Sequence, residues 1–196
     1  TAANFIGGAQ DNGTYIRQQA ASPPNEQDLV AFGDGCAAAI ASLTSSSVRI
    51  FSSSQLGSIS RQTTTTSTNI RPTSDMTANP SGGFGEFVTY FKLDFDSPED
   101  LYYVNFNKVF RTTNNSAVTG ATWTYLSGVA GAVNAANING TNIGIRALEL
   151  TRGPYTASHA LFIGTTNGKV FRLDNPRNAA ATAVPVDITP VGLNGN

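Results

Sequence analysis

Leu101-Tyr-Tyr-Val-Asn-Phe-Asn-Lys-Val-Phe-Arg111 pairs an apolar run with a turn and a second strand that ends on arginine, and the same plan occurs four times along the chain. The other copies run Asn4-Phe-Ile-Gly-Gly-Ala-Gln-Asp-Asn-Gly13 into Thr14-Tyr-Ile-Arg17, Ile50-Phe-Ser-Ser-Ser-Gln-Leu-Gly57 into Ser58-Ile-Ser-Arg61, and Leu161-Phe-Ile-Gly-Thr-Thr-Asn-Gly168 into Lys169-Val-Phe-Arg172. Their arginines fall 44, 50 and 61 residues apart. A drifting period of this size, with a strand pair inside each unit, is the pattern of propeller blades rather than of one sandwich.

Outward from each hairpin, alternation and turn signals mark further strands. The third unit is clearest, with strands expected over Tyr90–Phe95, Leu101–Phe106, Lys108–Thr113 and Thr122–Ser127. The fourth repeats the scheme over Ile145–Thr151, Ala160–Thr166, Lys169–Asp174 and Ala183–Thr189. The second runs through Cys36–Ser42, Val48–Ser53 and Ser58–Thr64, with a poorly marked last strand within Ser67–Pro72. The first has Phe5–Gln10, Thr14–Gln19 and Asp28–Phe32, and nothing before Asn4 supplies an innermost strand. The expectation is therefore an all-β chain: residues 1–196 form part of one β-propeller domain of about four blades, at 4–33, 36–72, 88–128 and 145–190. Each blade is a four-stranded antiparallel sheet, and the first is incomplete. An unpaired blade edge exposes N–H and C=O groups, so the reading is a segment of a longer propeller, the alternative being a complete four-bladed ring in which a late strand supplies the gap.

Composition narrows the function classes. Ser and Thr supply about a fifth of the residues and only 13% are charged, which favours strands and turns over long amphipathic helices. A net charge of −1 with three lysines (Lys92, Lys108, Lys169) offers no footprint for a phosphate backbone or an anionic membrane, so no nucleic-acid partner is expected. No apolar stretch approaches the roughly 20 residues that span a bilayer, so no membrane insertion is expected. Thr1 opens on a strand with no leader-like segment. Cys36 is alone, cannot form an internal disulfide, and reads as a small buried hydrophobe in an Ala-rich strand. The Asn-x-Ser/Thr triplets at Asn12, Asn114 and Asn139 are no more than chance predicts.

Gly7-Gly-Ala-Gln-Asp-Asn-Gly-Thr14, followed by Gly33-Asp-Gly35, resembles the Gly-Gly-x-Gln-Asp-Asn-Gly and Gly-Asp-Gly pair of sortilin-like and Asp-box (BNR) propellers in large secreted bacterial proteins, many of them from the Bacteroidetes. Phe110-Arg-Thr-Thr-Asn114 running on to Ala121-Thr-Trp123 is similar to a degenerate Asp-box, with Thr113 and Asn115 near the Ser and Asp positions and extra residues before Gly120 and Trp123. The resemblance covers all four repeats. It implies a propeller fold and a bacterial protein that is secreted or on the cell surface; no cofactor is expected. One such scaffold hosts many functions; the expected role is a non-catalytic binding or architectural one, with a carbohydrate or protein ligand and the other domains of a longer chain as partners. In the Asp-box the acidic side chain caps turn amides and the Trp packs between blades, so Trp123 is expected in the core. The repeated arginines read as blade-edge hydrogen-bond donors, and four of them on four blades do not converge on one carboxylate as a sialidase requires.

Two carboxylates keep an enzymatic alternative open. Asp11 resembles the catalytic Asp in the hairpin turn of xyloglucan-degrading propeller hydrolases, and Asp34 lies where blade one crosses to the innermost strand of blade two. A glycoside hydrolase needs an acid and a base roughly 5 to 9.5 Å apart. Against this, Asp-Asn-Gly is a tight-turn sequence in which Asn and Gly accept positive φ and Asp11 caps the turn amides. Asp94, Asp96, Glu99 and Asp100 bunch in a loop whose oxygens suit Ca²⁺, although the same residues also make an ordinary turn. His159, the one histidine, precedes a strand in a polar loop and is expected to be solvated, which leaves no basis for a histidine zinc site or a Ser-His-Asp triad.

Overall fold

All four expected hairpins are hairpins in the computed structural model, which describes residues 4–17, 27–43, 47–137 and 143–192. The chain divides into two compact units, Thr1–Tyr90 and Phe91–Asn196. In the first unit, β1 (Phe5–Ala9), β2 (Gly13–Arg17) and β3 (Gln27–Ala31) make a three-stranded sheet. β4 (Ala38–Leu43), β5 (Val48–Ser53), β6 (Ile59–Gln62) and β7 (Ser67–Asn69) make a four-stranded one. The second unit holds a sheet of β8 (Phe91–Leu93), β9 (Leu101–Asn105), β10 (Lys108–Thr112) and β11 (Thr124–Tyr125). It also holds α1 (Ser127–Ala135) and a last sheet of β12 (Ile145–Leu150), β13 (Ala160–Thr165), β14 (Val170–Asp174) and β15 (Val186–Asp187). Every sheet is an antiparallel meander in chain order. The expected continuation of the second strand to Gln19, and Asn139, lie outside the described residues.

The register explains the repeated arginine. Across the central hairpin of each sheet, Arg17 faces Phe5, Arg61 faces Phe51, Arg111 faces Tyr102 and Arg172 faces Phe162. A cation opposite an aromatic ring is a favourable cross-strand pair, and Arg17 lies 5.9 Å from the Phe5 ring centroid. Arg111 also donates to the carbonyls of Pro176 and Ala179 at 2.6 and 2.9 Å, which matches the donor role read from the sequence.

The turns of these hairpins have a second recurring property: they hold the residues that lead into the next sheet. The Gly35 N–H donates to Ala9 O at 3.1 Å just before β4. The β5–β6 turn binds the approach to β8, with Leu56 N–H donating to Phe87 O at 3.1 Å and Phe84 N–H to Leu56 O at 2.9 Å. Ile145, the first residue of β12, donates to Phe106 O at 2.8 Å. Each turn uses left-handed backbone to do so: Asp11 has φ 62°, Leu56 58° and Phe106 54°. For a residue as bulky as Phe this costs free energy and persists only where the surroundings fix it.

By this equivalence β1 corresponds to β5, β9 and β13, and among the described residues no strand pairs with the other edge of β1. Burial agrees: all of β9 is buried, whereas four of the five β1 residues are exposed. Outer strands are shorter than expected, with β11 confined to Thr124–Tyr125 and β15 to Val186–Asp187.

Helix α1 is not among the sequence expectations. It buries Val129, Ala130 and Val133 and packs on β10, spacing that puts two valines on one face. Gly128 lets the helix start reach Ala181, whose carbonyl accepts its N–H at 3.0 Å. Close backbone approach is most severe at Gly35, where a Cβ would stand 2.1 Å from Gly13 O and 2.6 Å from Ala9 N. Gly35→Ala should therefore destabilise the chain by about 2 kcal/mol through overpacking against backbone that cannot yield. Gly131→Ala, with open space at its Cβ on the exposed side of α1, should instead stabilise it by about 0.5–1 kcal/mol. Urea denaturation of the two variants checks the sign difference.

Candidate functional site

The Gly-Gly-Ala-Gln-Asp-Asn-Gly turn and the Gly-Asp-Gly segment come together, but with roles other than those expected. Positive φ falls on Asp11 and Gly13 rather than on Asn12 and Gly13. The capping carboxylate is that of Asp34, whose Oδ1 accepts the Asp11 N–H at 2.8 Å. Asp34 is itself placed by its N–H donating to Gln55 Oε1 at 2.9 Å. Asp11 thus enters the network through its backbone; its side chain is exposed and takes no hydrogen bond among the described residues. The reason is topological: Asp34 arrives from the strap into β4 and occupies the place a local cap would take. Cys36, half-buried on the same strap, directs Sγ to Asp34 O at 3.4 Å, and burial pushes its thiol up.

The acidic loop in the second unit is drawn in four directions. Asp94 Oδ1 accepts the N–H groups of Asp96 and Ser97 at 2.9 and 3.1 Å, an Asx turn that closes the β8–β9 loop. Asp96 pairs with Arg152 at 2.7 Å and accepts the Gly153 N–H at 2.7 Å, and the guanidinium bond holds its carboxyl below the usual range. Glu99 accepts the Ser116 N–H at 3.2 Å. Asp100, 1% exposed, pairs with Arg177 at 2.7 Å. Among the described residues no three acidic, His or Cys side chains are placed to hold a metal ion; arginines supply the positive charge.

Around Asp100 the second unit buries a polar cluster. Tyr102 is fully buried opposite Arg111, and the Arg177 guanidinium stacks 4.1 Å from the Tyr155 ring centroid. His159 belongs here and is 3% exposed, which corrects the solvated reading. Its ring lies 4.9 Å from that of Tyr155, and its carbonyl accepts the Asn175 N–H at 2.7 Å. The Thr156 N–H donates to Nδ1 at 3.3 Å, so a neutral ring carries its proton on Nε2. Trp123 is half-buried, 5.9 Å from Tyr103, rather than fully in the core. Asn115, at the Asp-box-like turn between β10 and β11, is fully buried and its Nδ2 donates to Pro98 O at 2.7 Å.

A further site went unmarked in the sequence reading. In the first unit a groove of about 380 Å³ lies between the end of β3, where Phe32 is 84% exposed, and one face of β5–β7. Register places Ser52 opposite Ser60, and Gln62 opposite Ser67, on that face. Ser54 and Ser58 extend it. A face turned toward a neighbouring sheet is ordinarily apolar, so a hydroxyl-lined one is informative. The signal in the sequence was the alternation of Ser52, Ser54, Ser58 and Ser60 through an apolar hairpin.

Compared with protein-family models and with curated proteins, the chain matches neither a family nor a relative. Among the described residues no helix is long and apolar enough to cross a membrane.

Proposed function

We propose that the four sheets are blades of a β-propeller, the first lacking its inner strand, and that the chain is a non-catalytic binding or architectural module. We place it in a larger exported bacterial protein, secreted or at the cell surface. The observation that carries the propeller is the recurrent strap: three times the turn of a central hairpin binds the residues entering the next sheet. That is the connection a ring of radially arranged meanders needs, chain leaving an outer strand and crossing to the next inner one. The non-catalytic reading is supported by the Asp11–Asp34 geometry. One carboxylate of the pair is engaged on a turn amide, and the other is exposed at the tip of the turn.

Incubation with xyloglucan and other β-glucans tests it. Neither the wild type nor Asp11→Asn should release reducing sugar. Release by the wild type that Asp11→Asn abolishes, with the fold kept, would establish the glycoside hydrolase instead.

A further inference from the structure

We infer that the groove between β3 and the β5–β7 face binds an uncharged carbohydrate. The inference deepens the binding-module reading and rests on it. Its lining contains no ionisable side chain. An anionic or cationic ligand would lose hydration there and gain no counter-charge, so the chemistry selects a neutral polar ligand.

The polar groups on offer are both donors and acceptors. The hydroxyls of Ser54, Ser58, Ser60 and Ser67 make no hydrogen bond among the described residues. A serine hydroxyl donates once and accepts twice, the same dual capacity that sugar hydroxyls present. Gln62 supplies an independent sign of a missing partner. It is 8% exposed, and its Nε2 donates to Val30 O at 3.2 Å and to Ser52 Oγ at 2.9 Å, both groove residues. Because the Val30 carbonyl can only accept, the amide orientation is fixed. Its Oε1 is then left buried with no donor among the described residues.

Phe32 completes the arrangement. Its ring stands at the lip with most of its surface in water, and an exposed aromatic beside convergent polar groups offers an apolar platform for the C–H face of a sugar ring. The volume is at the small end of ligand pockets, enough for a short stretch of glycan. A peptide adding to a sheet would pair with strand-edge backbone. Here the floor is a strand face carrying side-chain hydroxyls, which favours the polyol.

Titration calorimetry of the whole chain with cellohexaose, mannohexaose, chitohexaose and hexagalacturonate, with a reducing-end assay on the same samples, tests this. At least one neutral oligosaccharide should bind and hexagalacturonate should not. Phe32→Ala should weaken binding about ten-fold without loss of fold, since its ring is outside the core, and Ser60→Ala should weaken it further in combination. The inference is overturned if no neutral oligosaccharide binds, if only the acidic one does, if both variants bind as wild type, or if the chain retains peptides from a library but no neutral sugar. Binding accompanied by reducing-end release would leave the carbohydrate site standing and defeat the non-catalytic reading. Neither binding nor release would do the opposite.

Discussion

Phe110→Ala should lower the unfolding free energy by about 4 kcal/mol, the range for deleting a large aromatic from a packed core. Phe110 is 1% exposed on β10, with ring centroids of Tyr125 at 5.3 Å and Tyr103 at 6.1 Å, and α1 packs on the same strand. Elements meeting from several sides leave little room for the site to collapse, so most of the cavity should remain. Trp123→Ala should cost about half as much, because Trp123 touches Tyr103 but keeps part of its surface in water. Denaturant melts of both variants give the ratio. Equal losses would mean that Trp123 contributes the full packing expected of an Asp-box tryptophan.

Arg177→Met should cost about 3 kcal/mol at pH 7, the low end for breaking a buried ion pair, since the Arg177 side chain keeps about a third of its surface in water while the Asp100 side chain keeps almost none. The loss should depend on pH. Burial already pushes the Asp100 carboxyl up, with Arg177 pulling it back, while the charge of Asp94 raises it and that of Arg111 lowers it. A carboxyl whose folded pKa exceeds its unfolded value binds more protons in the native state, so stability falls as pH rises through the window between the two. Removing Arg177 raises the folded value further and widens that window upward. The variant's deficit should therefore be smaller at pH 4.5 than at pH 7, and Asp100→Asn added to Arg177→Met should recover much of it at pH 7. Urea melts at the two pH values decide the matter, and a deficit equal at both would show that Asp100 is not the group left unpaired.

The hairpins were legible because the information is local: an apolar run, a turn and a strand ending on Arg17, Arg61, Arg111 or Arg172 lie within about a dozen residues each. Why those arginines recur was not legible, since their aromatic partners are defined by register across the turn. Helix α1 escaped because Gly128, Gly131 and two β-branched valines lower its intrinsic propensity, and its stability comes from packing on β10. The role of Asp11 was misread for a similar reason. A turn sequence cannot reveal that a carboxylate 23 residues further on will reach its amide. His159 looked solvated by its polar neighbours in the chain and is buried by Tyr155 and the segment around Asn175. The serine groove needed two strands and a neighbouring sheet before its hydroxyls could be seen on one face.

The propeller is tested most directly by a crystal structure of the chain. The account predicts that β4, β8 and β12 converge on one axis in chain order, with the turns of the central hairpins at the same end and the place inside β1 open or filled by a strand from elsewhere. Two sheets stacked face to face as a sandwich would contradict it.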